Sequence, residues 1–338
     1  MANQFAEYNL DSRETVLDRP THEAVVSVAE YGGLDIGVSV VDARKNLVGS
    51  DEKTGRTIIW PEAYAARLDD FETQRQMTIA EALSARVISV EMPGVGMSEA
   101  AKTTPAQKRG LMRGSFDRSA DAMLGALDEI VPLKAGEEVE FMLFSQGVAL
   151  GTAMIDKLGH EAHGLKLKVP RVMLIEAVND QPWNLVKLLS AIGKEDKFTD
   201  SYLDQNKDYD WLVPPADRTE TGKRQLDVLN HKQNISMLMA GAALRRPFTP
   251  DFLEAIKRDS AERTTGISQA RVDMYKLGGS EVSRWSENLM TLGQLRVAMP
   301  LGRVAMTRVG SPEGQVDPRH PAVHSMPNID VMSRDLFS

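Results

Sequence analysis

Short apolar runs alternate with amphipathic stretches through the first half of the chain, and this alternation is the feature that most limits the fold. The stretches between the runs repeat apolar residues near helical spacing, for example at Met112, Phe116, Met123 and Leu127. Short buried strands separated by helices are typical of a parallel sheet covered on both faces. The sequence therefore predicts an α/β fold with a mostly parallel central sheet. The predicted strands are residues 57–60, 86–92, 141–144 and 169–178.

The remaining segments suggest how the chain is divided. Residues 1–22 are polar without a clear period and predict an N-terminal arm. Residues 25–41 form two β-rich runs around a Gly-Gly pair, which indicates a hairpin. Helical periods without strand alternation fill residues 181–289, and a strand returns at 303–309. We therefore expect a core of residues 23–180 and 290–338 that carries a helical cap at 181–289.

The most informative local pattern surrounds Ser145. An apolar run, 141–144, leads into Ser145, Gln146 and Gly147, and the helical segment that follows has small residues at Ala149 and Gly151. This order predicts a buried strand, a sharp turn at the serine and a closely packed helix. A serine held on such a turn presents its hydroxyl at the carboxyl end of the sheet, where a histidine can activate it.

Charge and composition exclude several classes of function. A formal net charge of −8 argues against nucleic acid or an anionic membrane as the main partner. We find no membrane span and no signal peptide, so we expect a soluble, cytoplasmic protein. The absence of cysteine excludes disulfides and thiol catalysis.

The sequence indicates neither a metal nor a cofactor. His160 and His163 are three residues apart, but no further histidine or cysteine completes a metal site with them. Gly94 and Gly96 match half of a dinucleotide fingerprint, but Glu99 occupies the third glycine position. His22 and His231, like the 160–163 pair, are expected to be solvated.

The order of elements resembles the α/β-hydrolase superfamily over most of the chain. The most specific match is residues 86–98, R-V-I-S-V-E-M-P-G-V-G-M-S, which is similar to that family's strand and Pro-Gly-x-Gly turn. The segment around Ser145 is similar to its nucleophile elbow, and the predicted helical insertion to its cap. The resemblance implies an α/β-hydrolase fold with a helical cap.

The resemblance also implies roles for individual residues. Ser145 would be the nucleophile, and the backbone N–H of Gln146 would be one oxyanion donor. His324, in H-S-M-P near the C-terminus, would be the general base, with His320 as its rival.

The acid that orients the histidine has three candidates. Glu313 in G-S-P-E-G is the best placed after the late strand, and Asp317 is the second choice. Glu176, after the strand at 172–175, would suit a variant with a displaced acid.

The sequence departs from the family in three places. Leu143 occupies the first elbow position, where the family has glycine, and small residues at 149 and 151 would compensate. Trp60-Pro61-Glu62 replaces the family's His-Gly, so the second oxyanion donor would be the N–H of Glu62 or Ala63; Pro61 has no N–H to give. Position 324 comes only 11 residues after position 313, too few for the helix that the family inserts there.

Two functions follow from these features. The first is a serine hydrolase that acts on an ester or a small apolar substrate through a Ser-His-acid arrangement. The second is an inactive protein of the same fold that serves as a binding or structural component of a larger assembly, such as a phage particle, which would place it in a virion. The N-terminal arm would serve such an assembly or a homo-oligomer.

Overall fold

The protein is described here by a computed structural model. The structure describes residues 6–8, 20–46, 53–63, 68–94, 96–100, 105–160, 164–178, 187, 190–191, 247–262, 264–278, 280, 282–283, 285–309 and 337.

A nine-stranded sheet forms the centre of the described chain. Its order is β1-β11-β10-β9-β8-β6-β7-β3-β2, and all neighbours from β1 to β7 pair in parallel. β3 and β2 add an antiparallel hairpin at one edge, as the Gly-Gly pair predicts. The mostly parallel sheet predicted from the sequence is therefore confirmed. The strands are β1 (Ala6–Tyr8), β2 (Val25–Tyr31), β3 (Leu34–Asp42), β6 (Thr57–Pro61), β7 (Arg86–Val90), β8 (Glu138–Phe144), β9 (Lys168–Ile175), β10 (Arg271–Leu277) and β11 (Arg303–Val309); β4 (Lys45–Asn46) and β5 (Lys53–Thr54) pair separately.

Helices cover both faces of the sheet. One face packs against α1, through Ile79 and Leu83, which lie in the same apolar cluster as Ile58, Trp60 and Val87. The opposite face packs against α3 to α6 through a larger apolar cluster. Buried apolar side chains on both sides explain why the central strands read as nearly continuous apolar runs. The helices are α1 (Asp70–Leu83), α2 (Pro105–Met112), α3 (Asp117–Ile130), α4 (Gly147–Leu158), α5 (Phe248–Glu262) and α6 (Trp285–Ala298), with 3-10 turns at Gly96–Ala100 and Ile267–Gln269.

Three details differ from the sequence-based expectations. Residues 271–277, expected within the helical cap, form β10 in the sheet between β9 and β11, so this part of the expected cap belongs to the sheet. Ala6–Tyr8, expected within the arm, pairs with β11. The apolar residues at helical spacing from Met112 to Leu127 belong to two helices and not to one, since Gly114 lies at φ +81° and ends the first. Most other residues of the expected arm and of the expected cap lie outside the described residues.

Phe337 packs on the face of the sheet that α1 covers. Its side chain is fully buried, and its ring centroid lies 4.9 Å from that of Tyr275. Its backbone carbonyl accepts hydrogen bonds from Arg56 and Arg171, each at 2.6 Å. No helix in the described part of the chain has the length and apolarity that a membrane crossing requires.

Candidate active site

Ser145 lies on a strained turn between β8 and α4. Its φ is +54°, a value that non-glycine residues seldom adopt. Its N–H donates to the carbonyl of Ile175 at 3.1 Å, which fixes the turn to the end of the neighbouring strand β9. The serine thus sits at the carboxyl end of a central parallel strand, as the sequence predicts, and strain of this kind is concentrated at functional sites.

Gly147, the first residue of α4, allows the helix to approach β6. A Cβ atom at this position would lie 2.6 Å from the carbonyl oxygen of Pro61 and 3.6 Å from that of Glu62. Any larger residue would therefore push the helix away from the segment that follows β6. This contact brings the two predicted sources of oxyanion donors together.

Leu143, which replaces the family's first elbow glycine, packs over Gly151 of α4. A Cβ atom at 151 would lie 2.1 Å from Leu143 Cδ2 and 3.0 Å from its Cγ. The leucine side chain therefore occupies the space that an alanine at 151 would need. The fold tolerates Leu143 because the small residue lies one turn along the helix, as expected from the sequence.

The backbone donors around the serine differ from the sequence-based expectation at one position. Gln146 precedes the first turn of α4, where helix N–H groups have no acceptor within the helix. The Glu62 N–H donates to the Val90 carbonyl at 2.9 Å. The prediction that Glu62 supplies an oxyanion donor is therefore wrong for this structure, because its N–H extends the pairing of β6 with β7. Ala63 is the donor that remains from this segment.

The side chain of Glu62 is buried on the α1 face of the sheet. Only 1% of its surface is exposed. Burial raises the pKa of Glu62 well above its ordinary value; Glu72 and Glu91 add to this, and Arg75 and Ser89 oppose it. The carboxyl group thus lies behind the backbone of residues 62 and 63, where the second oxyanion donor was expected, and it favours its neutral form.

Glu91, in the segment that resembles the family's turn, organises the loop beside the site. Its carboxylate accepts hydrogen bonds from the N–H groups of Leu68 at 2.8 Å and Ser98 at 3.2 Å. Burial raises the pKa of Glu91, although these hydrogen bonds oppose the shift. We infer that Glu91 holds the loop backbone.

Glu176, the candidate for a displaced acid, is engaged in a buried ion pair. It directly follows β9 with φ +49°. Its Oε1 accepts from Lys276 Nζ at 3.3 Å and from the Leu277 N–H at 2.5 Å, and neither charged side chain is more than 5% exposed. Lys276 was missed from the sequence because β10 was not recognised. This pair ties the ends of β9 and β10 together near the elbow.

The other predicted site residues cannot be placed. His324, His320, Glu313 and Asp317 lie outside the described residues, so their roles stay predictions. Within the described residues, no group of three or more His, Asp or Glu side chains is arranged to hold a metal.

Two of the histidines set aside from catalysis lie far from the elbow. His22 Nδ1 lies 2.9 Å from Glu81, near the end of α1. His160 follows α4 and contacts Arg258 at 2.9 Å. Both are partly exposed, as expected for solvated histidines; His163 and His231 lie outside the described residues.

Comparisons with known proteins agree with this geometry at the level of the fold. No protein-family model and no curated protein matches the chain. Among solved structures, it is similar to Cfl2 from Burkholderia cenocepacia, with a TM-score of 0.51, 13% identity and coverage of 94% of this chain and 98% of that one. It is also similar to the haloalkane dehalogenase DatA from Agrobacterium tumefaciens, with a TM-score of 0.50, 14% identity and coverage of 92% and 93%.

These similarities extend over nearly the whole length of both partners, although the identities are low. The strand order, the antiparallel hairpin at one edge and the serine turn between a central strand and its helix agree with the resemblance first noted at residues 86–98. The chain has the α/β-hydrolase fold.

Proposed function

We propose that the protein is a serine hydrolase that acts on an ester or a related small apolar substrate. The observation that carries the proposal is the strained backbone of Ser145 at the carboxyl end of β8, since a serine in this conformation has its hydroxyl directed out of the turn. The solved structure of a haloalkane dehalogenase among its fold neighbours supports hydrolytic chemistry as a general class.

The proposed reaction proceeds in two steps. Ser145 Oγ attacks the carbonyl carbon while His324 takes its proton, and the N–H groups of Gln146 and Ala63 hold the oxyanion. The tetrahedral intermediate expels the alcohol, which takes the proton from the histidine, and an acyl-serine remains. Water, deprotonated by the same histidine, then releases the carboxylic acid and restores Ser145. His320 is the alternative base.

The acid of the arrangement has several candidates. Glu313 and Asp317 follow β11. Glu176 is the less favoured of the three, because its carboxylate already binds the Lys276 ammonium group. Glu281, four residues beyond Leu277 in the sequence, is a further candidate because it follows β10 in the chain; like Glu313 and Asp317, it lies outside the described residues. Losing such an acid typically lowers kcat by about four orders of magnitude.

Covalent labelling of Ser145 tests the proposal. The wild type should react with a fluorophosphonate probe and hydrolyse a p-nitrophenyl ester, and Ser145→Ala should lose labelling and lower kcat by on the order of 10⁶-fold. Ser84→Ala is a matched control, because Ser84 also lies at a positive φ, +47°, but at the end of α1. The variants His324→Ala and His320→Ala decide between the two bases.

The outcome also separates the two functions. Labelling at Ser145 that persists in Ser84→Ala supports the hydrolase. A folded wild-type protein that neither reacts at Ser145 nor hydrolyses the ester would contradict it and leave the inactive binding or structural component as the better hypothesis.

A further inference from the structure

Glu62 places a buried carboxyl group next to the position where the proposed hydrolase needs an oxyanion donor. Glu62 ends the segment Trp60-Pro61-Glu62 and directly precedes Ala63. Its backbone lies against the elbow, since its carbonyl oxygen is 3.6 Å from the position of a Cβ at Gly147. Its N–H is fixed to Val90 at 2.9 Å. The backbone of Glu62 therefore connects β7 with the start of α4.

The charges around this carboxyl group do not balance if it is ionised. Among the described residues, the groups that act on it are Glu72 and Arg75 of α1, Ser89 of β7 and Glu91 just after β7. Arg75 Nη1 already donates to both carboxylate oxygens of Glu72, at 3.0 and 3.2 Å. The one guanidinium group among these neighbours is therefore already paired with Glu72.

The hydrogen bonds support the same conclusion. Glu62 Oε1 is fully buried and makes no hydrogen bond of normal geometry among the described residues. The Ser89 hydroxyl lies close enough to oppose the pKa shift, but it makes no hydrogen bond of that kind either. An ionised carboxylate needs such partners when it is removed from water, whereas a protonated one needs fewer. Burial and the neighbouring carboxylates also raise the pKa of Glu62 well above its ordinary value.

We propose that Glu62 is protonated in the active protein and that its neutral carboxyl group positions the adjacent Ala63 N–H for the oxyanion. Glu62 is then a positioning residue, and this role rests on the proposed function. Deprotonation adds one negative charge close to the carboxyl groups of Glu72 and Glu91. The resulting repulsion displaces the segment that carries Ala63, and a negative charge behind the donor opposes the negative charge of the oxyanion. Activity therefore falls on the alkaline side.

The variant Glu62→Gln tests the proposal because glutamine keeps the shape of the protonated acid and cannot ionise. The rate of Ser145 labelling by a fluorophosphonate probe is measured from about pH 5 to 10, with Glu129→Gln, an exposed change on α3, as control. We expect Glu62→Gln to be labelled at about the wild-type rate at neutral pH. At alkaline pH, the fraction of this rate that it retains should be at least tenfold greater than the fraction that the wild type retains. Glu62→Ala, which removes the positioning group, should label at least tenfold more slowly at all pH values.

An infrared measurement tests the protonation state of Glu62 without relying on activity. The folded wild-type protein should show the band of a protonated carboxyl group at neutral pH, and Glu62→Gln should lack it while Glu129→Gln retains it. Identical pH profiles for the wild type and Glu62→Gln, or no difference in the infrared band, would overturn the proposal. If no variant is labelled but the band is lost as expected, the proposed hydrolase fails while the protonation of Glu62 stands.

Discussion

The contact between Leu143 and Gly151 yields a quantitative prediction for the variant Gly151→Ala. In an exposed helix, replacing glycine with alanine stabilises by about 1 kcal/mol because alanine has the higher helix propensity. At 151 the new Cβ would lie 2.1, 2.8 and 3.0 Å from Leu143 Cδ2, Cδ1 and Cγ. Because the overlap includes Cγ, the branch point of Leu143, a rotation of the terminal methyl groups cannot relieve it.

The size of the effect follows from burial. Leu143 is fully buried, so its side chain has no solvent to move into, and overpacking of this kind costs about 1–3 kcal/mol. After the helix-propensity gain of about 1 kcal/mol, Gly151→Ala should lower the free energy of unfolding by about 0–2 kcal/mol.

A double-mutant cycle isolates the contact. Leu143→Ala alone should cost about 2–5 kcal/mol because it leaves a cavity. In that background the overlap is absent, so Gly151→Ala should stabilise by about 1 kcal/mol. The coupling energy between the two positions, measured by urea unfolding, is then about 1–3 kcal/mol.

Gly293→Ala is the matched control, because Gly293 lies in α6 and a Cβ there meets no atom within 4 Å. It should stabilise by about 1 kcal/mol in either background. If Gly151→Ala proves equally stabilising with leucine and with alanine at 143, the reasoning about the elbow is refuted.

Two further predictions concern buried charges. Lys276→Met should lower the free energy of unfolding by about 3–5 kcal/mol because the Glu176 carboxylate loses its buried cation, and Lys276→Met with Glu176→Gln should recover most of this in urea unfolding. Asp259 accepts hydrogen bonds from the N–H groups of Gly266 and Ser268, at 2.8 and 3.0 Å. Burial raises the pKa of Asp259, but these and other hydrogen bonds outweigh it and lower the pKa overall. The stability that the Asp259 carboxylate contributes is therefore complete above its unfolded pKa of about 3.9 and is lost as pH falls further. Asp259→Asn should reduce the fall in the free energy of unfolding at acid pH. An unchanged dependence of this free energy on acid pH would contradict the assignment.

Much of the fold could be predicted because the central strands are apolar on both faces. β6, β7, β8 and β9 each read as a short buried run, and the turn at Ser145 follows from the small residues behind it. β10 could not be recognised in the same way. Its sequence, R-V-D-M-Y-K-L, includes Asp273 and Lys276, which are buried because Arg171 and Glu176 pair with them. A central strand is hard to recognise from the sequence when its charged residues are neutralised by residues far away along the chain.

The site was less predictable than the fold. The use of the Glu62 N–H depends on where β7 ends relative to β6, which is a matter of register between distant segments. The short strand β1 depends likewise on its pairing with β11, three hundred residues along the chain. Neither local propensity nor periodicity records such contacts.

The positive φ of Ser145 has a consequence for attempts to engineer this chain. A non-glycine residue in such a conformation costs about 1–3 kcal/mol, and glycine would remove most of this cost. Selection for thermostability alone would therefore favour glycine at 145, in the usual conflict between stability and activity. Such a variant would melt at a higher temperature and pass every test of folding, yet it would lack the hydroxyl group on which the proposed chemistry depends.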